Sequence, residues 1–279
     1  MSSAMRILIS ADMEGISGVV HTAETNPDGY DYERSRAIMT AEVNAAVAGV
    51  LEAVPAAEVL VADAHGTFRN LLPEDLDRRA RLVRGKPRPL GMLAGLDDDT
   101  DAVLFIGYHA RSGQGPAVLA HTIGAAVLDV RLDGRSVGEI GLNAAMAGHH
   151  GAPVVLLSGD DIACAEVLAL TPGAATVAVK QALGQAAAIA LHPEEARDQL
   201  HRTAAKAIRR YEQVPLVIFP GPLHVEVDLY RPYTVDLAAL IPGVSRAEGA
   251  RTVTFTAADM PEAYQIITLI TQLAQIIPA

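Results

Sequence analysis

Two carboxylates stand one residue apart where an apolar run ends: Ile7-Leu8-Ile9-Ser10-Ala11 leads into Asp12-Met13-Glu14-Gly15. In extended backbone alternate side chains share a face, so Asp12 and Glu14 can converge on one point just beyond the strand. A second run ends Val61-Ala62-Asp63-Ala64-His65, with Asp63 and His65 again two apart, and a third, Phe105-Ile106, ends in Gly107-Tyr108-His109. Taken singly, each piece has a plainer reading: an Asp-x-Glu caps a turn or helix, and a histidine hydrogen-bonds to backbone. Three such ends together point to a metal rim. Carboxylates clustered in a poorly hydrated crevice repel, and one of them would otherwise hold its proton. A divalent cation removes the conflict. Oxygen and imidazole donors together suit zinc, and also manganese, cobalt or iron, whereas an all-oxygen set would suit magnesium or calcium. With four or more ligands and a carboxylate able to bridge, two ions about 3.5–4 Å apart can be held, and such a pair activates water for hydrolysis.

For these side chains to meet, the three runs must lie in one sheet with their C-terminal ends at a common edge, where open parallel sheets place ligands. Residues 6–11, 58–62, 102–106 and 153–157 read as buried strands, because aliphatic and β-branched residues continue for five or six positions before a turn residue. An alanine-rich helical pattern over residues 32–54 separates the first two, which argues for parallel β-α-β units. Asp133-Gly134 joins residues 128–132 to 135–137 as a tight hairpin, and helices are predicted at about 139–149, 161–170 and 193–211. Beyond Val214-Pro215 the pattern alternates, with strands at 224–229 and 252–256 and an amphipathic helix at 261–276. The expected fold is α/β, a mainly parallel sheet with helices on both faces, plus a smaller C-terminal α+β layer. Residues 1–211 are expected to form the α/β metal-binding catalytic domain and residues 212–279 the smaller one.

The 279 residues are half hydrophobic, enough for a large core without disulfides, and the lone Cys164 allows no disulfide framework. Lys plus Arg number 22 against 33 Asp plus Glu, a net charge of -11, which disfavours nucleic acid as a partner. No apolar run approaches the ~20 residues that span a bilayer, and the N-terminal residues carry no cleavable apolar signal, so a cytoplasmic protein is expected. With no tryptophan and four phenylalanines, a base-stacking or sugar-stacking platform is poorly supplied. Small molecules or peptides are the better partners.

The chain resembles the zinc-dependent D-aminopeptidase family, peptidase family M55, typified by the aminopeptidase of the dipeptide-transport operon. The likeness rests on Ser10-Ala11-Asp12-Met13-Glu14-Gly15-Ile16-Ser17-Gly18, Asp63-Ala64-His65, Gly107-Tyr108-His109-Ala110-Arg111 and Val137-Gly138-Glu139-Ile140-Gly141-Leu142-Asn143-Ala144. It continues at Gly159-Asp160-Asp161, Ala178-Val179-Lys180-Gln181 and Ala258-Asp259-Met260-Pro261-Glu262-Ala263-Tyr264, covering nearly the whole chain in order. The resemblance implies two zinc ions per subunit, bridged by Asp12, with Glu14, His65, His109 and Glu139 completing the ligand set. One division of the other four places Glu14 with His109 and His65 with Glu139. It adds Glu139, which by itself reads as a first-turn helix-dipole partner. It also makes His121, in Leu119-Ala120-His121-Thr122, the catalytic residue, as nucleophile or base. It implies as well a preference for N-terminal D-residues of short peptides or amino-acid amides, and a homodecamer of two stacked pentameric rings.

Asp63 is expected to orient His65 or its loop, and Asn143 and Lys180 to contact substrate or to sit on helix surfaces. His149 and His150 project about 100° apart from adjacent helix positions and are not a metal pair. Two rival functions use the same rim. One is another dinuclear amidase or phosphoesterase, for which Arg111 could serve phosphate. The other is a metal-stabilised assembly protein without turnover.

Overall fold

The structure, a computed structural model, describes residues 4–249 and 251–276. At its centre β1 (Arg6–Ala11) lies between β2 (Glu58–Asp63) and β4 (Ala102–Ile106), parallel to both, with Ile9 opposite Val61 on one side and Leu104 on the other. Both faces of this triplet are covered, which is why the strands read as unbroken apolar runs. Outward from β2 the sheet adds β3 (Ala80–Val83); outward from β4 it adds β7 (Val154–Asp160), β8 (Ala175–Gly184) and the antiparallel β9 (Ala187–Ala190). The order is β3-β2-β1-β4-β7-β8-β9, so the connections change direction at β1 and leave a crevice beyond its C-terminal end.

Alternation along β1 divides the core in two. Ile7, Ile9 and Ala11 share a buried cluster with Val43 and Val47 of α2 (Tyr32–Ala53) and Leu200 and Ala204 of α5 (Pro193–Ile208), two helices that pack against each other where Gly49 meets Ala204. Leu8 faces the other way, among residues of α3 (Glu139–His149), α4 (Asp161–Leu170) and α7 (Met260–Ile276). The predicted helices on both faces are therefore present. The helix expected over residues 193–211 ends at Ile208 and gives way to a 3-10 turn at Tyr211–Gln213.

A second, antiparallel sheet has the order β11-β12-β10-β5-β6. It joins the hairpin β5 (Val127–Leu132) and β6 (Arg135–Ser136) to β10 (Leu223–Leu229), β11 (Ser245–Arg246) and β12 (Thr252–Ala257). Val225 pairs with Leu132 across 93 positions of sequence, so a cut at residue 212 divides this sheet instead of bounding it. The hairpin had no apolar partner nearby in sequence, and it found one after the last helix of the main layer. α1 (Thr22–Thr25) and α6 (Pro232–Ala238) complete the fold. Among the described residues no helix is long and apolar enough to cross a membrane.

Candidate metal centre

Asp12, Glu14, His65 and His109 all arrive at the crevice on the segments that leave β1, β2 and β4, and each is at most 9% exposed. Glu139 joins them as the first residue of α3, whose N-terminus is stationed at the same rim, and it is also buried. Asp12 stands at the centre, its Oδ1 3.2 Å from Nδ1 of His65 and its Oδ2 3.5 Å from Nε2 of His109. Glu14 Oε2 lies 2.9 Å from that His65 nitrogen, and Glu139 Oε2 lies 3.3 Å from that His109 nitrogen. All five predicted ligands thus surround one small volume.

The outer nitrogens of both rings fix their tautomers. His65 Nε2 lies 2.8 Å from the Thr25 carbonyl and His109 Nδ1 3.0 Å from the Ala110 carbonyl. A carbonyl only accepts, so each of these nitrogens must carry the proton. The inner nitrogens are left to face carboxylates, and His109 Nε2 is buried with no hydrogen-bond partner. A buried, unpartnered lone pair among three carboxylates is costly unless a cation sits between them. Mixed imidazole and carboxylate donors fit zinc.

Protonation shows the same conflict. Burial, and then the charge of Glu14, push the Asp12 carboxyl up to about 8. Burial also works against ionised Glu14, but the charge and hydrogen bond of His65 overcome it and hold Glu14 well below the usual carboxylate range. His109, although buried, is pushed well above its ordinary value by Glu139. Protons at this rim stand where cations could. Two groups of donor atoms draw within 4.8 Å of one another: Asp12, Glu14 and His109, and His109, His121 and Glu139.

The loop bearing the first two carboxylates is gripped from behind. Nζ of Lys180, on β8, donates to the carbonyls of Glu14 at 2.5 Å, Ile16 at 3.0 Å and Val19 at 2.5 Å. Glu42 of α2 accepts from the Ser17 amide at 2.8 Å and from its hydroxyl at 2.5 Å. Lys180 is therefore a buried anchor, neither on a helix surface nor at the cavity. Asn143 is likewise internal, between the hydroxyls of Tyr108 and Tyr264. Asp63 steadies the loop of His65 rather than its ring: its carboxylate takes the amides of Asn70 and Leu71 at 2.5 and 2.7 Å, and Asn70 donates to the His65 carbonyl at 2.6 Å. The ring itself is oriented by the Thr25 carbonyl, a group with no sequence signature.

His121 stacks on His109 with ring centroids 4.0 Å apart and planes 11° from parallel. Its Nδ1 lies 2.8 Å from the Leu119 carbonyl, so Nδ1 carries the proton and Nε2 faces Glu139 Oε1 at 3.7 Å. Leu119 and Ile123, two residues to either side, both hold left-handed backbone, at φ 51° and 63°. Such strain, of order 1–3 kcal/mol per residue, gathers where a side chain must be aimed. The amide of Ile123 donates to Glu139 Oε1 at 2.5 Å, tying the His121 segment to the rim.

A cavity of about 730 Å³ opens above, with Asp12, His65, His121 and Glu139 in its lining. Arg111 is elsewhere: its amide binds Glu166, and its side chain lines a separate groove beside Arg135. His150 pairs with Asp98 on the surface, and burial pushes the Cys164 thiol up to about 12, so neither takes part.

The family model Peptidase M55, described as D-aminopeptidase, matches residues 5–269. The D-aminopeptidase of Bacillus subtilis (strain 168) is 37% identical over 270 residues, 97% of this chain and 98% of that protein. The solved structure of the Zn-dependent D-aminopeptidase DppA from Bacillus subtilis, described as a self-compartmentalizing protease, superimposes with a TM-score of 0.95 at 36% identity. That match covers 99% of this chain and 100% of the other.

Proposed function

Since the chain belongs to the D-aminopeptidase family of M55 peptidases, we propose that it removes N-terminal D-residues from short peptides or amino-acid amides at a two-zinc centre. The observation that carries this reading is the pair of histidine nitrogens, His65 Nδ1 and His109 Nε2, aimed at different oxygens of Asp12. Asp12 would bridge. Glu14 with His109 would complete one site, as their convergence with Asp12 supports, and His65 with Glu139 the other. The close His65–Glu14 and His109–Glu139 contacts then cross between the two sets.

Zinc held there would polarise the scissile carbonyl and lower the pKa of a water. His121 takes up and returns the proton at Nε2, because its Nδ1–H is committed to the Leu119 carbonyl. Stacking on His109 and the strained segment keep that nitrogen directed at the rim. The buried floor excludes bulk water, which strengthens each charge interaction made on it.

Arg111 lies away from the cavity and Arg88 is engaged with backbone carbonyls, so among the described residues no free arginine pair faces the rim for a phosphoester. Zinc-loaded protein should release ammonia from D-alanine amide faster than from L-alanine amide, lose that activity with chelator, and leave an aryl phosphate intact. Phosphate release, or no turnover of any peptide together with loss of assembly on chelation, would favour one of the two rivals. The self-compartmentalizing structural relative supports an assembly of subunits here, for which we propose two stacked pentameric rings in the cytoplasm. Light scattering should then give about ten times 29.3 kDa, and a monomeric mass contradicts it.

A further inference from the structure

The cavity over the metal centre is electrically uneven. Its carboxylates, Asp12 and Glu139, are buried and form the floor, whereas the two cations in its lining, Lys86 and Arg88, belong to one short segment, and Lys86 is exposed where the cavity meets solvent. Arg88 is fully engaged: its guanidinium donates to the carbonyls of Gly91 at 2.8 Å, Val83 at 3.2 Å and Asp63 at 2.5 Å. Lys86 makes no ion pair or hydrogen bond among the described residues. Its ammonium lies over the ring of Phe68, 5.7 Å from the centroid, with Arg88 also on that ring at 4.2 Å.

Phe68 connects this cation to the centre. Its amide donates to the His65 carbonyl at 2.7 Å, and its own carbonyl accepts from Gly85, the residue before Lys86, at 2.6 Å. Phe68 holds left-handed backbone, φ 59°, unusual for a bulky residue and a strain that marks loops with a job to do. The metal-ligand loop and the Lys86 segment are thus hydrogen-bonded to each other, which holds the backbone that carries the ammonium beside the cavity.

We propose that Lys86 binds the free C-terminal carboxylate of the peptide, so that short peptides with an unblocked C-terminus are preferred over blocked peptides and amino-acid amides. The inference rests on the peptidase reading of the metal centre. A short free peptide carries its carboxylate at the end away from its amine; with its N-terminal peptide bond at the floor, the unpaired ammonium in the lining of the same cavity is the charge that can meet that carboxylate. A peptide too long to place its carboxylate at Lys86, or one with that carboxylate blocked, forgoes the contact.

The test compares a D-alanine dipeptide with the same dipeptide as its C-terminal amide, on zinc-loaded wild-type protein and on Lys86→Gln and Lys86→Arg. The wild type should prefer the free acid on the order of five- to tenfold in kcat/KM, chiefly through KM. Lys86→Gln should bring that ratio close to one, and Lys86→Arg should keep most of it. An equal fall for both peptides, or an unchanged ratio, overturns the assignment, as does an altered assembly mass with an unchanged ratio, which would place Lys86 at a subunit contact. A wild-type protein that cleaves neither peptide overturns the peptidase reading itself, a result separate from any change in the ratio.

Discussion

Nε2 of His109 faces Oδ2 of Asp12 across 3.5 Å, while the proton of the same ring is committed to the Ala110 carbonyl. The other oxygen of Asp12 stands in the same relation to His65. One carboxylate thereby serves two imidazoles, and its removal should disable both halves of the centre at once. Wild-type protein is expected to hold two zinc ions per chain by plasma emission spectroscopy, and Asp12→Ala fewer than about half an ion, because each site loses a charged ligand in a dry setting. An Asp12→Ala protein that retained one full equivalent would show that Asp12 does not bridge.

Metal binding should expel protons. Without a cation, burial and Glu14 hold the Asp12 carboxyl up at about 8, and against burial the neighbouring carboxylates hold His65 and His109 above their ordinary values. Below about pH 8 Asp12 carries a proton that zinc must displace, and the raised histidines add to it, so apparent affinity should rise with pH through the neutral range. Calorimetric titration at pH 7 in two buffers of different ionisation enthalpy reads the released protons directly. Equal enthalpies in both would contradict the protonated rim.

Much of this site was legible because strands buried on both faces advertise themselves. The runs ending at Ala11, Asp63 and Ile106 admit hardly another reading, and the residues that follow them had to share an edge. Glu139 was not legible in that way: it begins a helix after a hairpin, and only the packing of α3 brings it to the rim, so it came from the resemblance alone. β8 and β9 are rich in alanine, a weak strand former, and Lys180 within β8 looks like a solvent-facing residue. The backbone carbonyls it gathers are shared by every residue type and leave no trace in composition. The second sheet was half legible, as a hairpin whose partner lay 93 positions away.

His121 touches the rim from outside the five residues proposed as ligands, and its Nε2 is 3.7 Å from Glu139. His121→Ala should therefore lower kcat by about 10²–10⁴, the usual contribution of a positioned acid or base, with KM within a few fold and two zinc ions retained. Stacking on His109 leaves a void in the variant, and His121→Gln controls for it by filling much of that space without a basic nitrogen. If His121→Gln turned over at the wild-type rate, the proton would have to pass through another group.

Lys180 holds three carbonyls of the loop that carries Glu14. Lys180→Met keeps the length and apolar stem but removes every donor, leaving those carbonyls unpartnered in the interior at about 1–3 kcal/mol for each that finds no water. A loss of about 3 kcal/mol or more in denaturant unfolding is expected, with weaker zinc binding, although Lys180 contacts no ligand side chain. Unchanged stability would mean that water replaces the ammonium.

The same loop fixes what Gly15 must be. A Cβ on Gly15 would lie 2.0 Å from the Tyr108 carbonyl oxygen and 2.5 Å from the Gly107 carbonyl carbon, both backbone, in the segment that carries His109. Neither can retreat without moving a ligand, since the Gly15 amide also donates to the Gly107 carbonyl at 2.8 Å. Gly18, three residues on, poses the opposite case: its φ is +78°, but no atom lies within 4 Å of the place a Cβ would occupy. Gly18→Ala should cost about 1–2 kcal/mol of backbone strain and keep both zinc ions. Gly15→Ala should cost about 1–3 kcal/mol through the clash and also part Glu14 from His109, so that zinc occupancy falls with stability. Zinc content measured beside unfolding free energy for the two variants separates strain from displacement. Full occupancy in Gly15→Ala would mean that the two ligand-bearing loops move independently.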